Sequence, residues 1–149
     1  MPQVNLQSLN LTQLPRNVKR TGWLDVAPRP DGSTWRLPFL YTTGAEDGPT
    51  LVVTAGVHGD EYEGVEAIPE VYRKTDPKTL AGTMCMIPIC NIPAYETITR
   101  SSTIDGLNLA RVFPGDASGS ITQRIAPNSI TDSVESGLLH RPPQWRDDV

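Results

Sequence analysis

The stretch Gly56–Gly64, GVHGDEYEG, sets a histidine, an aspartate and glutamates directly behind the apolar run LVVTAGV. His58 and Glu61 stand three residues apart, the histidine at the end of an expected strand and the glutamate in the first turn of an expected helix. That placement can aim an imidazole nitrogen and a carboxylate oxygen at one metal ion. Zinc suits the mixed nitrogen and oxygen set, since calcium and magnesium prefer shells of oxygen alone. Gly56, Gly59 and Gly64 would let the backbone pass close to the ion or take unusual torsions. Asp60 could cap the helix or orient His58. The competing reading is an exposed loop with an N-capping aspartate and solvated glutamates, and the spacing alone leaves both open.

Positioning these residues requires a strand before them and a helix after them. Leu51 to Val57 is a continuous, valine-rich apolar run suited to a central strand covered on both faces. From Glu61 to Lys74, Val65, Ile68 and Val71 or Tyr72 recur at helical spacing, and Pro69 should kink or shorten that helix. LAGTMCMIPICN supplies a second strand, so strand, helix and strand form a βαβ unit with a mostly parallel sheet. Upstream, TGWLDVAPRPDGSTWRLPFLYTTG reads as an antiparallel hairpin turning at PRPDGS, and GAEDGPT as the loop that follows it. Asn91 to Gly119 is rich in turn formers and reads as a long ordered loop or pair of loops. A short helix is expected around Ser120 to Ala126.

The bulk properties bound the function. The 149 residues suffice for one domain with a sizeable core. A formal charge of -4, without a basic block, argues against a nucleic-acid partner. No apolar stretch approaches the ~20 residues a bilayer span needs, and the N-terminus lacks a secretory pattern, so no membrane association and a cytoplasmic location are expected. Cys85 and Cys90 read as small core residues rather than redox or metal groups.

Three motifs in order, GVHGDEYEG, NIPAYETITR and DGLNLARVFPG, resemble the succinylglutamate desuccinylase and aspartoacylase family, relatives of the zinc carboxypeptidases. The resemblance runs from about Leu51 to Ala126. It implies an α/β chain with a partial zinc-carboxypeptidase-like three-layer fold, a mostly parallel sheet and the N-terminal hairpin. It divides the chain into a lead-in over 1–20, a partial hydrolase-like domain over 21–126 and a divergent, loosely ordered tail over 127–149.

On this resemblance His58 and Glu61 bind Zn2+, and Arg100 polarises the scissile carbonyl, as suits a fixed cation near a developing oxyanion. Arg100 could equally tie its loop to a carbonyl or carboxylate. Arg111 would bind a carboxylate-bearing small-molecule substrate. Relatives carry Asn-Arg where this chain has Ala110-Arg111, so the amide partner is gone. Asp105, Asn108 and the turn at Phe113 to Gly115 are read as shaping the loop rather than touching substrate.

The family also implies a third zinc ligand, a histidine ending a later strand, and a glutamate further on as general base. His140, in GLLHRPP, follows no apolar strand and reads either as that ligand or as a surface histidine. After it only Asp147 and Asp148 are acidic. A complete relative would use zinc to lower the pKa of a water and polarise an amide carbonyl, with a carboxylate moving the proton. This chain is therefore expected to be a C-terminally truncated member, either naturally short or altered by a frame change after about Ala126. Its expected function is zinc-dependent hydrolysis of an N-acyl amino acid or related amide or ester, with turnover reduced by about 10² to 10⁴. The alternative is an inactive remnant that binds ligands or partners. A sheet cut short would expose an edge open to a second copy.

Overall fold

The computed structural model describes residues 14–128, with side chains through Ala126. The fold grows from the expected hairpin. Strand β1 (Val18–Pro28) pairs antiparallel with β2 (Thr34–Thr43), with Leu24 opposite Leu37 and Gly22 opposite Phe39. The turn between them carries Gly32 at φ 84°, a torsion open to glycine, and Asp31 accepts hydrogen bonds from the backbone and hydroxyl of Ser33.

Strand β3 (Glu46–Thr54) leads through the histidine turn into helix α1 (Glu63–Lys74), and β4 (Ala81–Ile87) returns parallel to β3. This is the βαβ unit read from the sequence. The sheet order is β1-β2-β4-β3, and β4 pairs antiparallel with β2. The sheet is thus mixed rather than mostly parallel: one βαβ unit makes one parallel pair, and the hairpin contributes two antiparallel pairings. Among the described residues β4 is the central strand of this unit and β3 lies at the edge, with Leu51 54% exposed. A continuous apolar run marks a strand that needs cover without fixing its place in the order. β3 also begins inside the GAEDGPT stretch read as a loop, with a register irregularity between Glu46 and Thr50.

Side chains alternate across the sheet and build three layers. On one face Leu24, Leu37, Phe39, Cys85 and Ile87 pack under Leu109, Ile121 and Ile125. The last two belong to helix α3 (Ile121–Asn128), close to the short helix expected there. Both cysteines are free and buried, and burial pushes each thiol up to about 12, consistent with core packing. Helix α1 lies on the other face, where Lys19 sits over the Tyr72 ring at 4.7 Å and donates to the carbonyls of Arg73 and Thr75. That contact neutralises carbonyls left open at the helix end, and Glu63 and Glu66 suit the opposite pole. The helix runs through Pro69 to Lys74 without being shortened.

Within the expected loop, Asn91 starts helix α2 (Ile92–Thr97) by accepting a hydrogen bond from the Ala94 amide, with a proline in the first turn. The pattern Asn-x-Pro is a helix start, but six residues are too few to show periodicity. No helix among the described residues is long and apolar enough to cross a membrane.

Candidate metal and substrate site

The end of β3 turns sharply at Gly56, whose φ of 60° and closeness to the backbone of Pro88 and Ile89 leave little room for a side chain. The turn is then bonded to the neighbouring chain. Cys90 donates to the Ala55 carbonyl, Asn91 to that of Gly56, and the fully buried Asn91 amide to that of Val57. Gly59 donates to the Thr99 carbonyl, and a Cβ there would run into the Ala94 carbonyl. These glycines make room for protein backbone, where the sequence reading also allowed an ion.

This frame presents His58, buried at 8% exposure, beside the half-exposed Glu61. The Nδ1 of His58 lies 2.9 Å from Oε1 of Glu61. Its Nε2 lies 3.1 Å from Oδ1 of Asn108, fifty positions along the chain. Arg100 brings its guanidinium to 3.4 Å from the same Glu61 oxygen and is otherwise open to solvent, with 61% of its side chain exposed. Three of the residues singled out from the sequence therefore meet at one place.

Arg111 closes a 3-10 turn (Leu109–Arg111) that Asn108 opens. Its backbone amide donates to the Asn108 carbonyl at 2.9 Å, and its exposed side chain pairs with no described residue. Asp60 is exposed, and α1 begins after Tyr62 without a side-chain cap, so the aspartate neither caps the helix nor orients His58. The partner that holds the ring is Asn108. Its type and its place two residues before Ala110 mark a turn cap, but nothing in the sequence links it to a histidine so distant. His140 lies outside the described residues.

Asp105 secures the loop carrying Asn108. It accepts from the amide of Thr122 at 2.9 Å and from its hydroxyl at 2.7 Å, capping α3 from 17 positions upstream. Partial burial raises its pKa, but the nearby Ser120 and Ser102 hydroxyls and the hydrogen bonds from the Thr122 amide and hydroxyl outweigh that and hold the carboxyl down at about 2. The sequence reading of Asp105 as a loop-shaping residue agrees with these contacts.

Comparison with known proteins decides the family. The model of the succinylglutamate desuccinylase/aspartoacylase catalytic domain matches residues 47–137, more than half of the chain. The chain belongs to the succinylglutamate desuccinylase/aspartoacylase family. Among curated relatives, N-alpha-acetyl-L-2,4-diaminobutyric acid deacetylase of Halomonas elongata is 37% identical over 107 residues, covering 70% of this chain and 31% of its own. A succinylglutamate desuccinylase/aspartoacylase structure from Rhodobacter sphaeroides superposes with a TM-score of 0.68 at 37% identity, over 75% of this chain and 35% of that one. The product-bound ectoine utilization protein EutE (DoeB) from Ruegeria pomeroyi gives 0.69 at 33% identity, over 77% and 36%. The chain thus spans about a third of the length of these family members.

Proposed function

We propose that this chain carries the zinc-binding and substrate-facing part of a hydrolase site that acts on an N-acyl amino acid or a related amide or ester. The observation that carries the reading is the convergence of His58 Nδ1 and Glu61 Oε1 to 2.9 Å on a rigid turn. Two ligand atoms on one tetrahedral zinc stand about 3.4 Å apart for bonds of ~2.1 Å. A slight opening of this pair therefore fits the ion, and one nitrogen with one carboxylate oxygen is a donor set zinc accepts. Bound there, zinc would supply Lewis-acid polarisation of a carbonyl.

The protein's own groups do the rest. Arg100 sets a guanidinium beside the ligand pair, on the solvent side where a substrate carbonyl would enter, and favours charge building on its oxygen. Arg111, unpaired among the described residues, offers a planar fork to a substrate carboxylate. The deacetylase of Halomonas elongata, named for an N-acetylated amino acid, supports that substrate class. A cytoplasmic setting belongs to the same proposal and is supported by the two buried free thiols. So does pairing with a second copy, supported by the place of β3 at the edge of the sheet among the described residues.

A second reading is a metal-poor remnant that binds ligands or partners without turnover. One observation favours it: among the described residues no third histidine, cysteine, aspartate or glutamate joins the pair to form a ligand cluster. Metal analysis of the purified protein separates the two. The hydrolase reading expects one zinc per chain, lost in His58→Ala; substoichiometric zinc, with His58→Ala leaving stability unchanged, supports the remnant. Full zinc retention in His140→Ala would remove His140 from the ligand set.

A further inference from the structure

The sequence reading and the proposed site leave Asn108 without a role in the chemistry, yet its amide touches the buried histidine directly. Asn108 Oδ1 accepts a hydrogen bond from the Ala110 amide at 3.0 Å. A backbone N–H can only donate, so this contact fixes which end of the side-chain amide is oxygen. That same oxygen faces Nε2 of His58 at 3.1 Å. Nε2 must then carry the proton, because an unprotonated nitrogen would set a lone pair against an oxygen lone pair. A neutral imidazole has one N–H. Protonation at Nε2 leaves Nδ1 a lone pair, and the Glu61 carboxylate oxygen that faces it at 2.9 Å then requires a cation between the two, either a metal ion or the second proton of an imidazolium.

We infer that Asn108 is a positioning residue that selects the Nε2–H tautomer of His58 and aims Nδ1 at the cation shared with Glu61. The inference rests on the proposed zinc site, because without a metal ion the Glu61 carboxylate competes for a proton on Nδ1. The device reaches the ring through a short, rigid route. Asn108 opens the 3-10 turn whose Leu109 is fully buried in the core, so its side chain has a fixed base. The loop before it is bonded to α3 through Asp105 and Thr122. Partners that orient a ligating histidine in this way typically affect metal affinity by about 10- to 100-fold.

Three substitutions separate positioning from loop shaping. Asn108→Asp keeps an acceptor for both Ala110 and His58. Asn108→Ser keeps a short acceptor for the Ala110 amide but cannot span to the ring. Asn108→Ala removes both. Long-range 1H–15N spectra of the zinc-loaded protein report which nitrogen of His58 carries the proton. Zinc titration then reports affinity, and thermal melts report folding.

Wild type and Asn108→Asp are expected to show the Nε2–H pattern and similar zinc affinity. Asn108→Ser is expected to fold and yet show a mixed tautomer, with zinc affinity down by about 10- to 100-fold. A wild-type ring protonated at Nδ1 overturns the inference, as does an Asn108→Ser protein with unchanged tautomer and affinity. If wild type binds no zinc, the proposed function fails, while a His58 Nε2 proton protected in wild type and freely exchanging in Asn108→Ser still supports Asn108 as the group that holds that nitrogen, and equal exchange in both overturns it.

Discussion

Glu61 Oε1 faces two partners, the His58 ring at 2.9 Å and the Arg100 guanidinium at 3.4 Å. The contact with Arg100 is long for a hydrogen bond and both side chains are more than half exposed, so it contributes little to stability. The Arg100 guanidinium is accordingly not committed to that contact. Asp105 is the residue with the stronger structural role. Its carboxyl is held at about 2 against an ordinary 3.8, so the stability it contributes is fully present above pH ~4. That contribution is lost as pH falls through about 2. The shift corresponds to roughly 1–2 kcal/mol once solvent screening is allowed for. Urea denaturation of wild type and Asp105→Asn from pH 7 to pH 2 is expected to show a gap of that size that closes towards the acid end. A gap independent of pH would show that the carboxylate charge is not what anchors α3.

Among the described strands, β3 leads into the candidate site and has the most exposed residues. Ala55, just beyond it, donates to Ile87 and accepts from Cys90, so both of its backbone groups point towards β4. Alternation along a strand then turns the backbone groups of Thr54 and Val52 to the open side. Thr50 to Thr54 carries neither charge nor proline, the usual protections of an edge. Pairing of β3 with a second copy is expected to appear as a concentration-dependent dimer in sedimentation velocity. Thr54→Pro removes an outward N–H without touching the β4 ladder and should abolish that dimer; a wild-type monomer at working concentration would contradict the pairing.

The hairpin, the βαβ order and the approach of His58 to Glu61 were all legible, because each rests on local periodicity, turn chemistry or short spacing. Strand order was not. LVVTAGV has the same apolar character whether it lies in the middle of a sheet or at its edge, and the pairing of β2 with β4 joins segments some 40 positions apart. The same limit hid the tie between Asn108 and His58, where residue types fit many roles and only the folded chain brings them within reach.

At the scale of the molecule, the described residues hold His58 and Glu61 on a backbone frame built from the chain's own loop bonds. Loop bonds from Cys90, Asn91 and Gly59 fix the turn, and Asp105 and Asn108 fix what faces it. The chain spans about a third of these relatives, and on the proposed reading it contributes the paired donors and the two arginines. The most direct measurement is anomalous diffraction at the zinc edge from crystals grown with zinc. The account predicts a peak bonded to both Nδ1 of His58 and Oε1 of Glu61, whereas a zinc-containing crystal with no peak at this pair, or with zinc bound only elsewhere, would contradict it.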